Sequence, residues 1–362
     1  MEENSTIHFN LKALKMRMEE KMKIHILILM LLIFCATTVL IKPAYSLQTL
    51  KLTLTTNKET YELGETVQIQ GNLTLDDTPV QDGLVAIEVD NSKGNSHIIR
   101  TLRTGSQPPQ NWNVQLVEVI PCDYKGNPQS SFQRGTTAYF KITIKSTDTI
   151  TRTVALSINL YYLPSMISFI AFFPITNYQL YPGQTPTFIL QAGEIPSDAP
   201  IGEAIIYACI FNKPPKEGGT AYSEEKSATF TITATAGGSQ TQETETTNLN
   251  TLSTEGTFTC HFQLPTSNGI LGQYTIYANA IYKTDGAPLI ARASKTFQVN
   301  LTGDINGDGI VDYKDIGIVC RAFGSYPGHP KWDSRADLNG DEFIDYMDIG
   351  ICCRNFGKSG TY

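Results

Sequence analysis

Between Leu47 and about Tyr162, apolar and polar side chains alternate through seven short runs: "KLTLTT", "TVQIQGNLTL", "LVAIEVD", "HIIRTL", "NVQLVEVI", "YFKITIKS" and "TVALSINLYY". Gly, Asn, Asp and Pro separate them. A period of two places every second side chain on one face, which predicts half-buried antiparallel strands. Runs in this number suit a β-sandwich. A second set, from about Ser165 to Asn300, includes "SFIAFF", "TFILQAG", "AIIYACIF", "ATFTITATA", "TFTCHFQL", "QYTIYANAIY" and "SKTFQVN", and predicts a second sandwich. The polar stretch "AGGSQTQETETTNLNTLSTEG" between its strands reads as a long exposed loop. After residue 302 the period changes. In "DIGIVCRAFG" and "DIGICCRNFG" apolar positions recur at Ile316, Val319 or Cys320, and Phe323, and again at Ile349, Cys352 or Cys353, and Phe356. That spacing predicts two short amphipathic helices, stopped by Gly324 and Gly357.

The first residues follow neither pattern. A basic leader carrying Lys12, Lys15, Arg17, Lys21 and Lys23 precedes the apolar run Ile24 to Ile41, an export signal. Ala44 and Ser46 present small side chains before a cut at Ser46/Leu47, and the same run, if uncleaved, is nearly long enough to anchor the chain in a membrane. Initiation at Met22 gives a more compact leader than initiation at Met1. The expected divisions are 1–46 leader, 47–163 first sandwich, 164–301 second sandwich and 302–362 helical module. Each sandwich, on this division, has strands enough to fold without the helical module.

A formal net charge of −7 over 362 residues, with no Lys/Arg stripe, excludes nucleic acid as a partner. Six cysteines follow the leader, and export permits disulfides. Cys209 and Cys260 both fall in strand-like runs, so they are candidates either for a bridge or for two buried thiols. Cys320 and Cys353 occupy equivalent helix positions and read as small buried residues or as a second bridge. Asn72 and Asn300 head glycosylation sequons.

The strongest chemical signal lies in "GDINGDGIVDYKDIG" and "ADLNGDEFIDYMDIG", which repeat at an offset of 33 residues. A calcium loop supplies oxygens from positions 1, 3, 5, 7, 9 and 12, so that one turn wraps a hard cation. The first copy provides Asp304, Asn306, Asp308, the Ile310 carbonyl, Asp312 and Asp315. Gly309 stands at position 6, where the chain must turn through positive φ. The second provides Asp337, Asn339, Asp341, the Phe343 carbonyl, Asp345 and Asp348, but places Glu342 at position 6. Forcing a Cβ into the left-handed region costs about 1–2 kcal/mol, so the second of two Ca2+ sites is expected to be the weaker.

A loop-helix unit lacking an entering helix, duplicated over Gly303 to about Lys358, resembles the type I dockerin. The resemblance implies a cohesin-like domain on another protein as partner, contacted here by Tyr313, Lys314 and Arg321 in the first copy and Tyr346, Met347 and Arg354 in the second. Trp332 in the linker is expected to pack over the helix pair. Upstream, "YELGETVQIQG" resembles the opening of the Ig-like or macroglobulin-like domains of bacterial and archaeal surface proteins. The implied fold class is mainly β: two Ig-like β-sandwich domains followed by a small α-helical, calcium-binding dockerin module.

No HExxH, GxSxG or P-loop is present, and only His97, His261 and His329 follow the leader. The scattered acids Glu65, Glu88, Glu118 and Glu203 do not identify the paired carboxylates that glycoside hydrolysis requires. The expectation is a non-enzymatic secreted or cell-surface protein without catalytic residues, its sandwiches serving as spacers or binding modules. The alternative is a polysaccharide-active enzyme or a carbohydrate-binding component of a cellulosome-like complex. Trp112, Tyr161, Tyr162, Phe172 and Phe173 are the aromatics available for sugar stacking, against a role in the core.

Overall fold

The computed structural model describes residues 15–30, 48–108, 112–234, 256–284 and 287–362. Two compact units divide the chain, Met1–Gln48 and Thr49–Tyr362. In the first, residues 15–30 are helical with apolar side chains exposed. Among the described residues no helix is long and apolar enough to cross a membrane. The expected cleavage point, the far end of the apolar run and nearly all of the polar stretch before Gly256 lie outside the described residues.

The second unit begins with β1 (Leu50–Thr56), β2 (Thr60–Glu62), β3 (Thr66–Leu75), β4 (Thr78–Pro79), β5 (Gly83–Asp90) and β6 (Ser96–Thr104). Then come β7 (Val114–Cys122), β8 (Ser131–Gln133), β9 (Thr137–Ser146), β10 (Arg152–Tyr162), β11 (Ile167–Leu180), β12 (Thr187–Glu194), β13 (Gly202–Phe211) and β14 (Lys226–Thr233). β15 (Thr257–Gln263), β16 (Gly269–Ile270), β17 (Gly272–Tyr282) and β18 (Leu289–Asn300) complete the body, and α1 (Tyr313–Ala322), α2 (Tyr346–Arg354) and β19 (Gly360–Thr361) follow.

Pairing does not follow chain order. β15 lies antiparallel to β3, with Cys260 opposite Ile69, and β17 lies antiparallel to β5, with Ala278 opposite Ile87. The outer sandwich therefore faces β1-β3-β15 against β2-β18-β17-β5-β6, and the chain from β7 to β14 is an inner sandwich inserted into it. In the inner one, β12-β9-β7 faces β11-β10-β13-β14-β8. A single parallel pair, Ile167 with Gln263, joins one sheet of each. This corrects the expected consecutive sandwiches at 47–163 and 164–301. Alternation identifies a strand and its buried face but carries no information about which distant strand completes the ladder.

Burial on both faces accounts for the most apolar runs. Along β5, Val85, Ile87 and Val89 enter the outer core while Leu84 and Ala86 face a seam between the sandwiches. Along β13, Ala204, Ile206, Ala208 and Ile210 enter the inner core, and Cys209 and Phe211 face the same seam. Two polar groups sew that seam. Asn159 Oδ1 accepts from the Ile99 N–H at 3.0 Å and from the Tyr161 hydroxyl at 2.6 Å, while its Nδ2 donates to Ser168 Oγ and the Ile170 carbonyl. Arg100 Nε donates to Glu225 Oε2 at 2.8 Å, and its guanidinium lies 3.6 Å from the Tyr207 ring centroid. Both charges are buried, so each needs the other.

The C-terminal module shares the outer core. Ile305, Val311, Val319, Ala322, Ala336, Ile344 and Cys352 form one apolar cluster with Leu271, Val299 and Leu301 of the outer sandwich, and Trp332 packs against its edge. The outer sandwich and this module thus share one apolar core. Ile316 and Val319 turn inward as the stripe predicts, but Phe323 and Phe356 at its far end are exposed.

Candidate metal and docking site

Each acidic loop is held by hydrogen bonds from main-chain N–H groups to its first and last carboxylates. In loop one, Asp304 Oδ1 accepts from Gly307 and Asp308 at 2.9 and 3.0 Å, and its Oδ2 from Gly309 at 2.9 Å. Asp315 is fully buried; its Oδ1 accepts from Ile305 and Asn306, and its Oδ2 from Asp312 at 2.9 Å. Loop two repeats this. Asp337 accepts from Gly340, Asp341 and Glu342, and the buried Asp348 from Leu338, Asn339 and Asp345. The side-chain bonds to the N–H two residues on recur as well: Asn306 accepts from Asp308, Asp308 from Ile310, Asn339 from Asp341, and Asp341 from Phe343.

The last four residues of each loop are also a helix start. Asp312 caps α1 and Asp345 caps α2, and Asp315 and Asp348 close the reciprocal bond of a capping box. One carboxylate thus satisfies an orphan helix N–H, favours the helix dipole and ends the loop. Ala322 and Arg354 end the helices, and Gly324 and Gly357 follow at positive φ.

Position 8 of each loop clasps the chain that leaves the opposite helix, a feature that residue spacing did not reveal. Val311 exchanges main-chain bonds with Gly357 and Lys358 at 2.9 and 3.0 Å, and Ile344 does so with Gly324 and Ser325 at 2.8 and 3.0 Å. The two loop-helix units therefore hold each other across an approximate two-fold relation.

Position 6 separates the loops. Gly309 has φ +84, and Glu342 adopts φ 65 although it carries a side chain. The second difference is charge. Lys314 Nζ lies 3.0 Å from Asp308 Oδ2 and 3.5 Å from Asp312 Oδ2, where loop two has Met347. Lys314 draws the Asp308 carboxyl below the ordinary range, chiefly by this hydrogen bond, and the Lys314 ammonium is raised in return.

Among the described residues no three His, Cys, Asp or Glu side chains form a metal cluster by themselves. The expected ring draws also on Asn306 or Asn339 and on a main-chain carbonyl, all of them hard oxygen donors that suit Ca2+. The residues fit that ion, and the Lys314 ammonium marks the attraction of loop one for positive charge. Ca2+, when bound, would supply two positive charges to a crowded set of carboxylates.

All six side chains expected at the docking face, Tyr313, Lys314, Arg321, Tyr346, Met347 and Arg354, are exposed, with Tyr313 at 73% and Tyr346 at 70%. Residues 302–355 match the family of the Dockerin type I domain. This segment is a type I dockerin domain. Dockerin domains of this type bind calcium and bind cohesin partners. No curated protein matches the chain. Among solved structures, the C-terminal domain of wzt is 13% identical, covering 39% of this chain and 93% of that one, with a TM-score of 0.29. The alkylpurine DNA glycosylase AlkC of Pseudomonas fluorescens is 13% identical over 33% of this chain and 30% of its own, with a TM-score of 0.25. A β-glucosidase of Listeria innocua is 11% identical over 39% and 17%, with a TM-score of 0.22. This chain spans less than a third of the glycosylase and about a sixth of the glucosidase.

The remaining expected sites are dispersed. Cys209 and Cys260 are free and buried, one at the seam in β13 and the other in the outer core in β15, so the candidate bridge is absent. Cys320 and Cys353 are free and exposed, and Cys352 is the buried cysteine of α2. Asn72 lies within β3 between β1 and β15, its Oδ1 buried, while Asn300 ends β18. Tyr161 and Tyr162 are buried, Phe172 and Phe173 pack against cores, and Trp112 stacks under Lys283 at 4.7 Å. Glu65 pairs with Lys58, Glu118 accepts from Thr143, and the buried Glu88 accepts from Ser96 and the Lys216 N–H.

Proposed function

We propose that this is an exported, non-enzymatic attachment protein, whose dockerin, ordered by Ca2+ in both loops, plugs into a cohesin-like domain of another protein. The two sandwiches act as the spacer or binding body that it carries. The observation supporting this reading is the duplication: two loops with the same carboxylate-to-amide bonds, each starting a helix that exposes a tyrosine at its first turn.

Docking follows from the loops by position. Asp312 and Asp345 cap the helices, so a loop that keeps its shape also fixes where Tyr313, Lys314, Tyr346 and Met347 project. Tyrosine and arginine are favoured anchors of protein interfaces. Export follows from the leader, and the sequence motifs supply no catalytic pair.

The test is binding of the intact chain to a panel of purified cohesin domains, with calcium and with chelator. Calcium-dependent binding lost in Tyr313→Ala/Tyr346→Ala, with the chain still folded by circular dichroism, supports the reading. Binding indifferent to chelator, or absent across the panel, defeats it.

A further inference from the structure

Past the dockerin's own clasp at Gly357 and Lys358, the four residues Ser359–Tyr362 lie between loop one and the outer sandwich. Gly360 N–H donates to the Gly309 carbonyl at 2.9 Å, and the Tyr362 hydroxyl donates to Asp304 Oδ2 at 3.1 Å. On its other side the tail is a strand of the body. β19 pairs in parallel with β16, the Asn268 and Leu271 N–H groups donate to the Ser359 and Thr361 carbonyls at 2.7 and 2.8 Å, and Ser359 Oγ donates to Asn268 Oδ1.

The fit is close on both sides. A Cβ on Gly309 falls 2.6 Å from the Gly360 carbonyl oxygen, and a Cβ on Gly360 falls within 3 Å of the Leu271 side chain. Position 6 of loop one is thus reserved for glycine twice, once by φ and once by the tail. Glu342 in loop two meets no such constraint, since it carries a side chain there. Thr302 N–H also donates to Glu62 Oε2 at 2.7 Å, which fixes the chain where it enters the dockerin from the sandwich.

We propose that loop one is a composite calcium site, in which the tail Ser359–Tyr362 positions Asp304 and the Gly309 turn while it pairs with β16 in a two-stranded ladder beside the outer sandwich. Calcium in loop one and the order of residues 267–271 therefore support each other. Tyr362 is a positioning residue for the first ligand. This rests on the calcium reading of loop one. The linkage is reciprocal: whatever calcium gives the tail strand, the strand gives calcium.

Hydrogen exchange of the intact chain, with loop two silenced by Asp337→Ala, reads the linkage directly at the Asn268 and Leu271 amides. Saturating loop one with calcium is expected to slow their exchange by about tenfold or more, since opening the tail then also costs the bound ion. Tyr362→Phe keeps every main-chain bond of the tail. It is expected to weaken loop-one calcium binding about threefold to tenfold in calorimetry, the loss of one hydrogen bond to a carboxylate. Calcium that fills loop one without changing exchange at Asn268 and Leu271, or an unchanged affinity in Tyr362→Phe, overturns the composite site and leaves the calcium reading standing. No calcium heat at all with loop two silenced overturns both.

Discussion

Exchanging the residues at position 6 tests how strain and crowding divide between the two loops. Glu342 is held at φ 65 while its N–H donates to Asp337 Oδ2 at 3.0 Å, so the left-handed turn is required by the ligand it supports. Relieving that conformation returns about 1–2 kcal/mol, and glycine gives back roughly 0.5–1 kcal/mol of it as added freedom of the unordered chain. The net gain of Glu342→Gly is about 0.5–1 kcal/mol, which is about twofold to fivefold in the affinity of loop two. The exposed Glu342 charge contributes little, because it is screened. Gly309→Glu is not the mirror image. It incurs the full left-handed cost, and its Cβ also meets the Gly360 carbonyl oxygen at 2.6 Å, so the tail must move. Loop one is expected to lose more than about tenfold in affinity. Two-site calorimetric titration of the intact chain, with sites assigned by Asp337→Ala, measures both changes. Equal and opposite changes of the same size would refute the second constraint on loop one, and a weaker loop two in Glu342→Gly would refute the strain argument.

Two further predictions concern the sandwich body. The His97 ring packs edge-on to Phe262 and Tyr274, its Nε2 is buried without a hydrogen-bond partner, and burial lowers its pKa to about 4. The unfolded chain therefore takes up a proton that the folded chain refuses as pH falls from about 6.5 towards 4. This removes up to about 3 kcal/mol over that window and nothing above it. Urea unfolding across pH checks this: His97→Phe should flatten that part of the curve, and an unchanged slope would rule the histidine out as its source. Arg100→Met, which leaves Glu225 buried and unpaired, is expected to cost about 3–5 kcal/mol, and adding Glu225→Met should recover part of it. A single substitution costing under about 1 kcal/mol would mean that the pair does not secure the seam.

The loops and helices were legible because their causes are local. Asp312 and Asp315 are three residues apart, and the same pair bounds a calcium loop, caps a helix and sets its first turn. Glu342 could be assigned a left-handed backbone from its place in the count alone. Strands were legible for the same reason, since alternation is a property of neighbours. What spacing cannot carry is the identity of a remote partner. "LVAIEVD" reads as one more half-buried strand, and does not state that β5 is buried on both faces, that one face meets the inner sandwich, or that Ala278 lies beside Ile87. The cysteines show the same limit. Cys209 and Cys260 each sit in a buried strand as expected, but in different sandwiches. The cross-clasp of Val311 and Ile344 and the docking of the tail depend on how modules pack, and no residue motif announces them.

Topology also separates the local contacts of this body from the distant ones. Every ladder of the inner sandwich joins residues between 114 and 233, and the dockerin closes within 302–358, so both can gather from nearby chain. The outer sandwich cannot, because β3 and β5 must wait for β15 and β17 on the far side of the insertion. Pairing at such separation carries the larger loop-closure cost, and a compact inner sandwich lowers it by bringing the ends of the insertion together. β16, which pairs with the dockerin tail, directly precedes β17 in the chain. Loop one, tied to that tail, draws on the pairing of Gly269 and Ile270 with Gly360 and Thr361, whereas the bonds of loop two lie within the dockerin.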